Sequence, residues 1–195
     1  MDFVLLAIQW SFGSIVSPTA LQLAIRSILY ILPSYFANSI PVVLGGGAPL
    51  DGKKKMKDGQ RVFGDGKTIR GFFAGIFAGM LVGAIEGLLL SGTGYDIYGS
   101  GPQAYVLAGF LLGAGTMVGD LAGSFIKRRS RVPQGKPSVL MDQLMFLAFA
   151  FLFSYPLAQH LLSLEAVLFL AVLTYFVHIA ANVIAHRWGL KKVPW

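Results

Sequence analysis

Four polar side chains share one helical face where an apolar, glycine-rich segment meets a block of positive charge, in VGDLAGSFIKRRSRVPQGK at residues 118–136. At about 100° per residue, an arc of about 100° contains all four of them: Asp120, Ser124, Lys127 and Arg128. A carboxylate beside an ammonium and a guanidinium can bind a divalent cation and the phosphates that the cation bridges. The stretch therefore predicts a site for Mg²⁺ and phosphate groups.

A second polar cluster ends the glycine-rich stretch LGGGAPLDGKKKMKDGQRVFGDGKTIRG at residues 44–71. Its GKT triplet is not part of a nucleotide-binding P-loop, because that motif requires glycine where Arg61 stands and a strand before it. Glycines expose N–H groups that can cradle phosphate, and the start of a following helix favours an anion. Substrate contacts are therefore predicted for Asp65, Lys67, Thr68 and Arg70. A solvated basic loop without a ligand is the alternative.

The elements that position these groups are apolar. The chain has 195 residues, of which 55% are hydrophobic and 13% charged, whereas about 25% of the residues in a soluble domain are charged. Runs of about 20 apolar residues recur, each long enough to cross a bilayer. The composition predicts an all-α polytopic membrane protein. The chain contains no cysteine, which excludes disulfides and thiolate metal sites.

Five transmembrane helices are predicted in a single domain covering residues 1–195, at about 19–43, 69–90, 103–126, 143–160 and 163–186. Residues 1–17 are short for a span and are predicted to form an interfacial or re-entrant segment, with a sixth span as the alternative. The second span carries glycine at every fourth position from Gly71 to Gly87, and Gly119 and Gly123 repeat this spacing. Such stripes predict close helix packing.

The basic residues are sorted to one side of the predicted membrane. Three segments together carry 15 of the 16 Lys and Arg residues: the loop at 45–68 with its flank, the loop at 127–142 and the C-terminal tail. Arg26 is the exception. This bias predicts two basic cytoplasmic loops, with the N-terminus outside. The net charge of +7 therefore indicates orientation in a cell membrane, and no nucleic-acid partner is predicted.

Polar residues of all five spans lie in one layer near the cytoplasmic side. At about 1.5 Å per residue, Asp120, Asn38 and Asn182 lie about 10 Å deep, with His178 one turn further in. The spans' cytoplasmic ends add Asp142 and Arg70. A charge at the centre of a transmembrane helix costs roughly 2.5–3.5 kcal/mol and is by default a functional-site hypothesis. The layer predicts a cup open to the cytoplasm and to the inner leaflet.

Structural interpretations compete for several of these residues. Asp120 could pair with Lys127 or a neighbouring cation. The basic run from Lys127 to Arg129 could serve as a topology signal that attracts anionic lipid, and Arg129 and Arg131 need no further role. His178 could be a packing residue.

Three stretches carry a resemblance to a known family: PVVLGGGAPLDGKKKMKDGQRVFGDGKTIRG, GDLAGSFIKRRSRVPQGKPSVLMDQL and the tail GLKKVPW. Together they resemble CDP-archaeol synthase, an archaeal membrane cytidylyltransferase of ether-lipid synthesis. That family is similar in turn to CDP-diacylglycerol synthases, whose signature runs S-x-x-K-R, a Gly/Pro-rich turn and D-R-x-D. Ser124, Lys127 and Arg128 fit the first part, and Asp142 fits the first acid of the last. Gln143 and Met145 replace the arginine and the second acid.

The resemblance implies cytidylyl transfer from CTP to 2,3-bis-O-(geranylgeranyl)-sn-glycero-1-phosphate, with Mg²⁺ as cofactor. It implies Asp120 and Asp142 as metal ligands, and Lys127 and Arg128 as catalytic cations beside them. Because Met145 replaces the second acid, one or two metal ions are compatible with the motif. Ser124, Asn38, Asn182 and His178 would complete the substrate pocket. The oligomeric state is left open, since a glycine stripe serves contacts within or between chains.

A small transporter or channel is the rival class, and a non-catalytic membrane scaffold is a third. A transporter would continue the polar path to the outer face and often shows inverted repeats. The polar layer lies on one side only, and the halves show no convincing repeat. An enzyme facing the cytoplasm is therefore the favoured hypothesis.

Overall fold

The computed structural model describes residues 18–133, 136, 138, 140–191 and 193. The described residues form five long helices, α1 (Pro18–Leu44), α2 (Ile69–Leu90), α3 (Pro102–Arg129), α4 (Met145–Ala158) and α5 (Leu164–Arg187). Each is long and apolar enough to cross a membrane, α4 when taken together with the turns on either side of it, as Met141–Leu161. A π-helical turn, Leu140–Leu144, leads into α4, and a 3₁₀ turn, Gln159–Leu161, follows it. The five predicted spans are confirmed to within a few residues. The prediction for residues 1–17 lies outside the described residues.

Local sequence signals account for the helix starts. The Thr68 hydroxyl caps α2 by accepting a hydrogen bond from the Gly71 amide at 3.1 Å. Ser163 caps α5 in the same way through the Ala166 amide at 3.2 Å. Pro102 begins α3, where its missing N–H costs no helical hydrogen bond. The caps satisfy backbone donors that would otherwise be unpaired at the helix ends.

The glycine stripe lets α2 and α3 approach backbone to backbone. All five stripe glycines, at positions 71, 75, 79, 83 and 87, are buried. A Cβ on Gly79 would lie 2.6 Å from the carbonyl oxygen of Gly109 on α3. On the other side of α3, a Cβ on Gly119 would lie 2.5 Å from the carbonyl oxygen of Met145 on α4. Larger side chains would push these helices apart, so the predicted close packing is confirmed.

Hydroxyl pairs connect the helices inside the bundle. Ser34 on α1 and Thr116 on α3 lie 2.5 Å apart. Tyr30 on α1 pairs with Ser154 on α4 at 2.6 Å, and Tyr35 pairs with Thr174 on α5 at 2.9 Å. Such bonds satisfy polar groups where no water is at hand. They hold α1 against three other helices.

Consecutive helices run in opposite directions, so the bundle has two ends. At one end lie the last turns of α1, α3 and α5 and the first turns of α2 and α4, together with the loop at 45–68. We call this the basic end, because 14 of the 15 Lys and Arg residues that the structure describes belong to the segments that meet there. The opposite end carries the loop at 91–101 and the turn between α4 and α5.

Candidate active site

A polar cavity of about 330 Å³ opens at the basic end. Four of the five long helices contribute to it, with the loop before α2, the segment before α4 and the C-terminal tail. Its polar and charged lining residues are Asn38, Lys67, Thr68, Asp120, Lys127, Lys136, Asp142, His178, Asn182 and Lys191. Four lysines face two carboxylates, so the lining carries an excess of positive charge. Such a cavity attracts anions.

Two lysine–carboxylate pairs lie in this cavity. The Lys67 ammonium donates to Asp120 Oδ2 at 2.5 Å, and the Lys127 ammonium donates to Asp142 Oδ1. Side-chain exposure is 28% for Asp120 and 27% for Asp142, so both carboxylates are within reach of a ligand. Asp120 does pair with a cation, as one structural interpretation of the sequence expected. The cation is Lys67 of the loop before α2, and not Lys127 of α3.

The π-helical turn before α4 positions Asp142. The Asp142 amide donates to the Ser138 carbonyl at 2.8 Å, and the Ser138 amide donates back to Asp142 Oδ2 at 2.9 Å. Oδ1 is thereby left to face Lys127 on α3. Single π turns recur at functional sites because they redirect a side chain without ending the helix. One carboxylate oxygen of Asp142 is thus held by the Ser138 amide, and the other faces Lys127.

A buried carboxylate organises the loop that carries Lys67. Asp51 Oδ1 accepts from the Arg61 guanidinium at 2.5 Å, and Oδ2 accepts from Arg61 Nε at 3.2 Å. Three backbone amides also donate to this carboxylate, those of Lys53, Phe63 and Gly64, at 3.0–3.1 Å. Burial by itself raises the pKa of Asp51, but these donors outweigh it and hold the pKa far below the usual range.

The loop is closed at its base by a hydrogen bond within it and is anchored to α3 by Arg129. The amide of Leu50, the residue before Asp51, donates to the Lys67 carbonyl at 2.7 Å. At the end of α3, Arg129 donates to the Arg61 carbonyl at 2.6 Å and lies 3.2 Å from the Asp58 carboxylate. Arg129 therefore does more than set orientation, because it fixes the loop against α3. These contacts fix the backbone that presents Lys67 to the cavity.

Comparison with known proteins identifies the class of this site. The family model described as CarS-like, CDP-archaeol synthase, matches residues 20–195. The chain is 52% identical to the CDP-archaeol synthase of Pyrococcus horikoshii over 166 residues, which cover 85% of this chain and 94% of that protein. It is 42% identical to the CDP-archaeol synthase of Methanococcus aeolicus over 177 residues, with 90% and 98% covered. The chain belongs to the CDP-archaeol synthase family.

A solved structure agrees with this assignment. It is described as "Structural insight into an intramembrane enzyme for archaeal membrane lipids biosynthesis" and is 35% identical to the chain, with a TM-score of 0.70. The alignment covers 80% of this chain and 92% of that one. As a CDP-archaeol synthase, the chain is a membrane-embedded, CTP-dependent nucleotidyltransferase that acts in archaeal lipid biosynthesis. The assignment selects the enzyme over the transporter and scaffold alternatives.

Eight of the twelve residues that the sequence predicts for a CDP-archaeol synthase site line the cavity: Asn38, Lys67, Thr68, Asp120, Lys127, Asp142, His178 and Asn182. Four others are not among its described lining residues. Asp65 pairs with Arg61 at 2.6 Å and its side chain is 62% exposed. Arg70 donates to the Leu44 carbonyl at 2.6 Å. Ser124 and Arg128 are buried on α3.

Rotation about the helix axis does not by itself explain why the α3 residues divide in this way. Around the axis, Lys127 lies about 20° from Asp120 in one direction, whereas Ser124 and Arg128 lie about 40° and 80° away in the other. The cavity is also lined by Met117 and Leu121, which lie about 60° and 100° from Asp120 on the side of Ser124 and Arg128. A common helical face is therefore too broad a criterion for membership of one pocket.

Lys136 and Lys191 are charged lining residues that the sequence predicts only as part of the orientation signal. Lys191 is the more buried of the two. Its ammonium donates to Asn182 Oδ1 at 2.7 Å. Burial lowers the pKa of Lys191; nearby Asp142 raises it, and Lys67 and Lys127 lower it further. The sequence does contain a signal for this position, because a glycine after a helix is typical of a chain reversal and Gly189 follows the last apolar run. In the structure Gly189 has a φ of +73°.

An apolar cavity of about 330 Å³ adjoins the polar one between α1 and α5. We call it the apolar groove. It shares four lining residues with the polar cavity, which are Asn38, Val42, His178 and Asn182. Its other walls include Phe146, Val177, Trp188 and Leu190. The candidate site thus has a charged half and an apolar half in direct continuity.

Proposed function

We propose that the chain transfers the cytidylyl group of CTP to 2,3-bis-O-(geranylgeranyl)-sn-glycero-1-phosphate, giving CDP-archaeol and pyrophosphate, with Mg²⁺ as cofactor. One observation carries the proposal. A cavity with two reachable carboxylates and an excess of lysines is continuous with an apolar groove between two membrane helices. The first half suits a nucleotide triphosphate, and the second suits isoprenoid chains.

The reaction needs positioning and charge neutralisation more than proton transfer. A phosphate oxygen of the lipid attacks the α-phosphorus of CTP, a new P–O bond forms, the bond to the β-phosphate breaks, and pyrophosphate leaves. The attacking phosphate is already ionised, so no strong general base is required. Both reactants are anions, and the lysines of the cavity reduce their repulsion and stabilise charge on the leaving group.

The two paired lysines have a specific part in this chemistry. Lys67 and Lys127 neutralise Asp120 and Asp142 through their ion pairs. Because both pairs are partly exposed, the energy of each pair is screened by water and each is open to exchange. Incoming phosphate groups would replace the two carboxylates as partners of the ammonium groups. Asp120 and Asp142 would then be available to a cation.

The donor set fits Mg²⁺, which binds one or two carboxylates together with phosphate oxygens and waters. Asp120 and Asp142 line one cavity, which Asn38 and Asn182 also line. The described residues contain no group of three or more His, Asp and Glu side chains placed to hold a metal, so substrate oxygens would complete the coordination. When bound, the cation would supply charge neutralisation for the phosphates.

The positive bias of the loops supports an orientation with the basic end in the cytoplasm and the N-terminus outside. CTP would enter the polar cavity from the water side. The lipid phosphate would enter from the inner leaflet along the apolar groove.

The test is an assay of the purified full chain with radiolabelled CTP and the geranylgeranyl lipid phosphate in detergent micelles. We expect CDP-lipid and pyrophosphate in equal amounts when Mg²⁺ is present, and loss of product when a chelator removes it. Parallel reactions use ATP in place of CTP and an ester-linked phosphatidic acid in place of the ether lipid. Product that forms equally well in chelator would contradict the metal assignment, and equal rates for ATP and CTP would contradict the choice of nucleotide.

A further inference from the structure

The chain segment after α5 turns back onto the bundle. Gly189 adopts a left-handed conformation with a φ of +73°. The Leu190 amide then donates to the Ala185 carbonyl at 2.9 Å, and His186 Nδ1 lies 3.0 Å from the Lys191 carbonyl. We call residues 188–191 the returning tail. Its hydrogen bonds to the last turn of α5 fix its direction.

The returning tail lines both halves of the site. Trp188 and Leu190 form part of the apolar groove, whereas Lys191 lines the polar cavity. Asn182, which accepts the hydrogen bond from Lys191, lines both. The Lys191 ammonium is therefore oriented at the boundary where the apolar groove meets the charged cavity.

The other two half-buried lysines of the cavity occupy different positions. Lys67 comes from the loop before α2 and Lys127 from α3, and both belong to the lining of the polar cavity but not to that of the groove. Lys67 and Lys127 are each paired with a carboxylate, and Lys191 donates to the amide oxygen of Asn182. Lys191 thus adds a positive charge on the groove side of the cavity.

A lipid phosphate is the substrate whose shape matches this boundary. Its chains require an apolar surface, and its phosphate requires a cation directly beside that surface, whereas a nucleotide triphosphate requires only the polar half. We propose that Lys191 binds the phosphate of the lipid acceptor, with Trp188 and Leu190 beside the adjoining chains. This inference rests on the proposed function and adds to it the residue that recognises the acceptor.

The experiment compares three variants of the full chain, Lys191→Gln, Lys191→Arg and the control Lys57→Gln, which alters an exposed lysine of the loop. Initial rates are measured with lipid phosphate varied at saturating CTP, and then with CTP varied at saturating lipid phosphate. For Lys191→Gln we expect the apparent KM for lipid phosphate to rise about tenfold and that for CTP to stay within about twofold. Lys191→Arg should recover most of the loss, and Lys57→Gln should match the wild type.

An equal rise in both KM values, or an unchanged KM for lipid phosphate, would overturn the assignment. Trp188→Ala provides a second route: it should also raise the lipid KM without changing the CTP KM, and an effect on CTP alone would overturn the role of the tail.

Equilibrium binding of the lipid phosphate without CTP separates this inference from the proposed function. We expect Lys191→Gln to bind the lipid phosphate about tenfold more weakly than wild type. If wild type bound the lipid phosphate through Lys191 but formed no CDP-lipid, the proposed reaction would fail and the role of Lys191 would stand. Equal binding by wild type and Lys191→Gln would overturn that role.

Discussion

The two ends of the bundle use carboxylates in opposite ways. At the opposite end, the loop at 91–101 wraps around Asp96, whose oxygens accept from three backbone amides and from the Tyr105 hydroxyl at 2.9–3.2 Å. At the basic end, Asp120 receives its described hydrogen bond from a single lysine of another segment. Asp96 is saturated by donors from its own loop and from Tyr105, and Asp120 is held by a single exchangeable partner.

This difference agrees with our proposal that the carboxylates of the cavity serve chemistry, whereas those saturated by backbone donors serve structure. The donors around Asp96, chiefly the Gly92 and Gly99 amides, lower its pKa, as the donors around Asp51 do at the basic end. Carboxylates saturated by backbone donors in this way stabilise the conformation of a loop. Asp120 and Asp142 instead pair with lysines, and we propose that substrate phosphates replace the carboxylates as partners of these ammonium groups. Substitution of Asp120 or Asp142 should therefore reduce the rate of CDP-lipid formation more than substitution of Asp51 or Asp96.

The largest effect is expected from Asp120→Asn and Asp142→Asn. Each removes a negative charge proposed to hold Mg²⁺, so CDP-lipid formation should fall about a thousandfold or more, because several kcal/mol of charge stabilisation is lost. Steady-state rates with and without added Mg²⁺ measure this. The amide keeps the size of the side chain, and thermal unfolding in detergent serves as the folding control. Near-normal turnover in either correctly folded variant would refute the metal assignment.

A smaller loss is expected from Asp51→Asn, which acts through the position of Lys67. The neutral amide weakens the bonds to Arg61 and to the three backbone amides, so the loop should loosen and misplace the lysine. A misplacement of about 1 Å can cost up to about a hundredfold, and we expect a fall of about ten- to hundredfold. Trypsin should cleave the variant faster than wild type at the exposed lysines of the loop. Unchanged proteolysis with unchanged rates would show that Asp51 does not organise this loop.

The pH dependence of the loop follows from the same carboxylate. Because the folded-state pKa of Asp51 is lowered, its contribution to stability is fully present above the unfolded pKa of about 3.9 and is lost only as the pH falls through the lower folded value. Accessibility of the wild-type loop to a protease active over this range should therefore be constant between about pH 5 and 8. A steep increase in cleavage as the pH falls from 8 to 5 would contradict the lowered pKa.

Much of the fold could be predicted because its signals are local. Apolar runs of membrane length predicted the helices, and the spacing of Gly71 to Gly87 predicted the packing face of α2. The depth of Asp120, Asn38 and Asn182 in separate spans also predicted their common cavity, since residues equally far from one membrane surface meet at one level.

The partners of the site residues could not be predicted in the same way. Lys67 and Asp120 are 53 positions apart, and their pairing depends on how the Asp51 loop folds onto α3. Likewise, Lys127 lines the cavity whereas Arg128 is buried, although both lie on the helical face that the sequence predicts. Lys191 enters only through the chain reversal at Gly189. Each of these outcomes is set by tertiary packing, which acts after the local signals have formed the helices.

The smallest effect on turnover is expected from Asp96→Asn, the counterpart of Asp120→Asn at the opposite end. The loop at 91–101 would lose charge-assisted hydrogen bonds, and each kcal/mol lost lowers the unfolding temperature of a chain of this size by about 2–4 °C. The cavity lies at the other end of the same helices, so the rate below the unfolding temperature should stay within about twofold of wild type. A large fall in rate without a fall in unfolding temperature would mean that the two ends are coupled in catalysis. The division between structural and chemical carboxylates would then have to be abandoned, because an enclosed carboxylate would be controlling the reaction from the far side of the bundle.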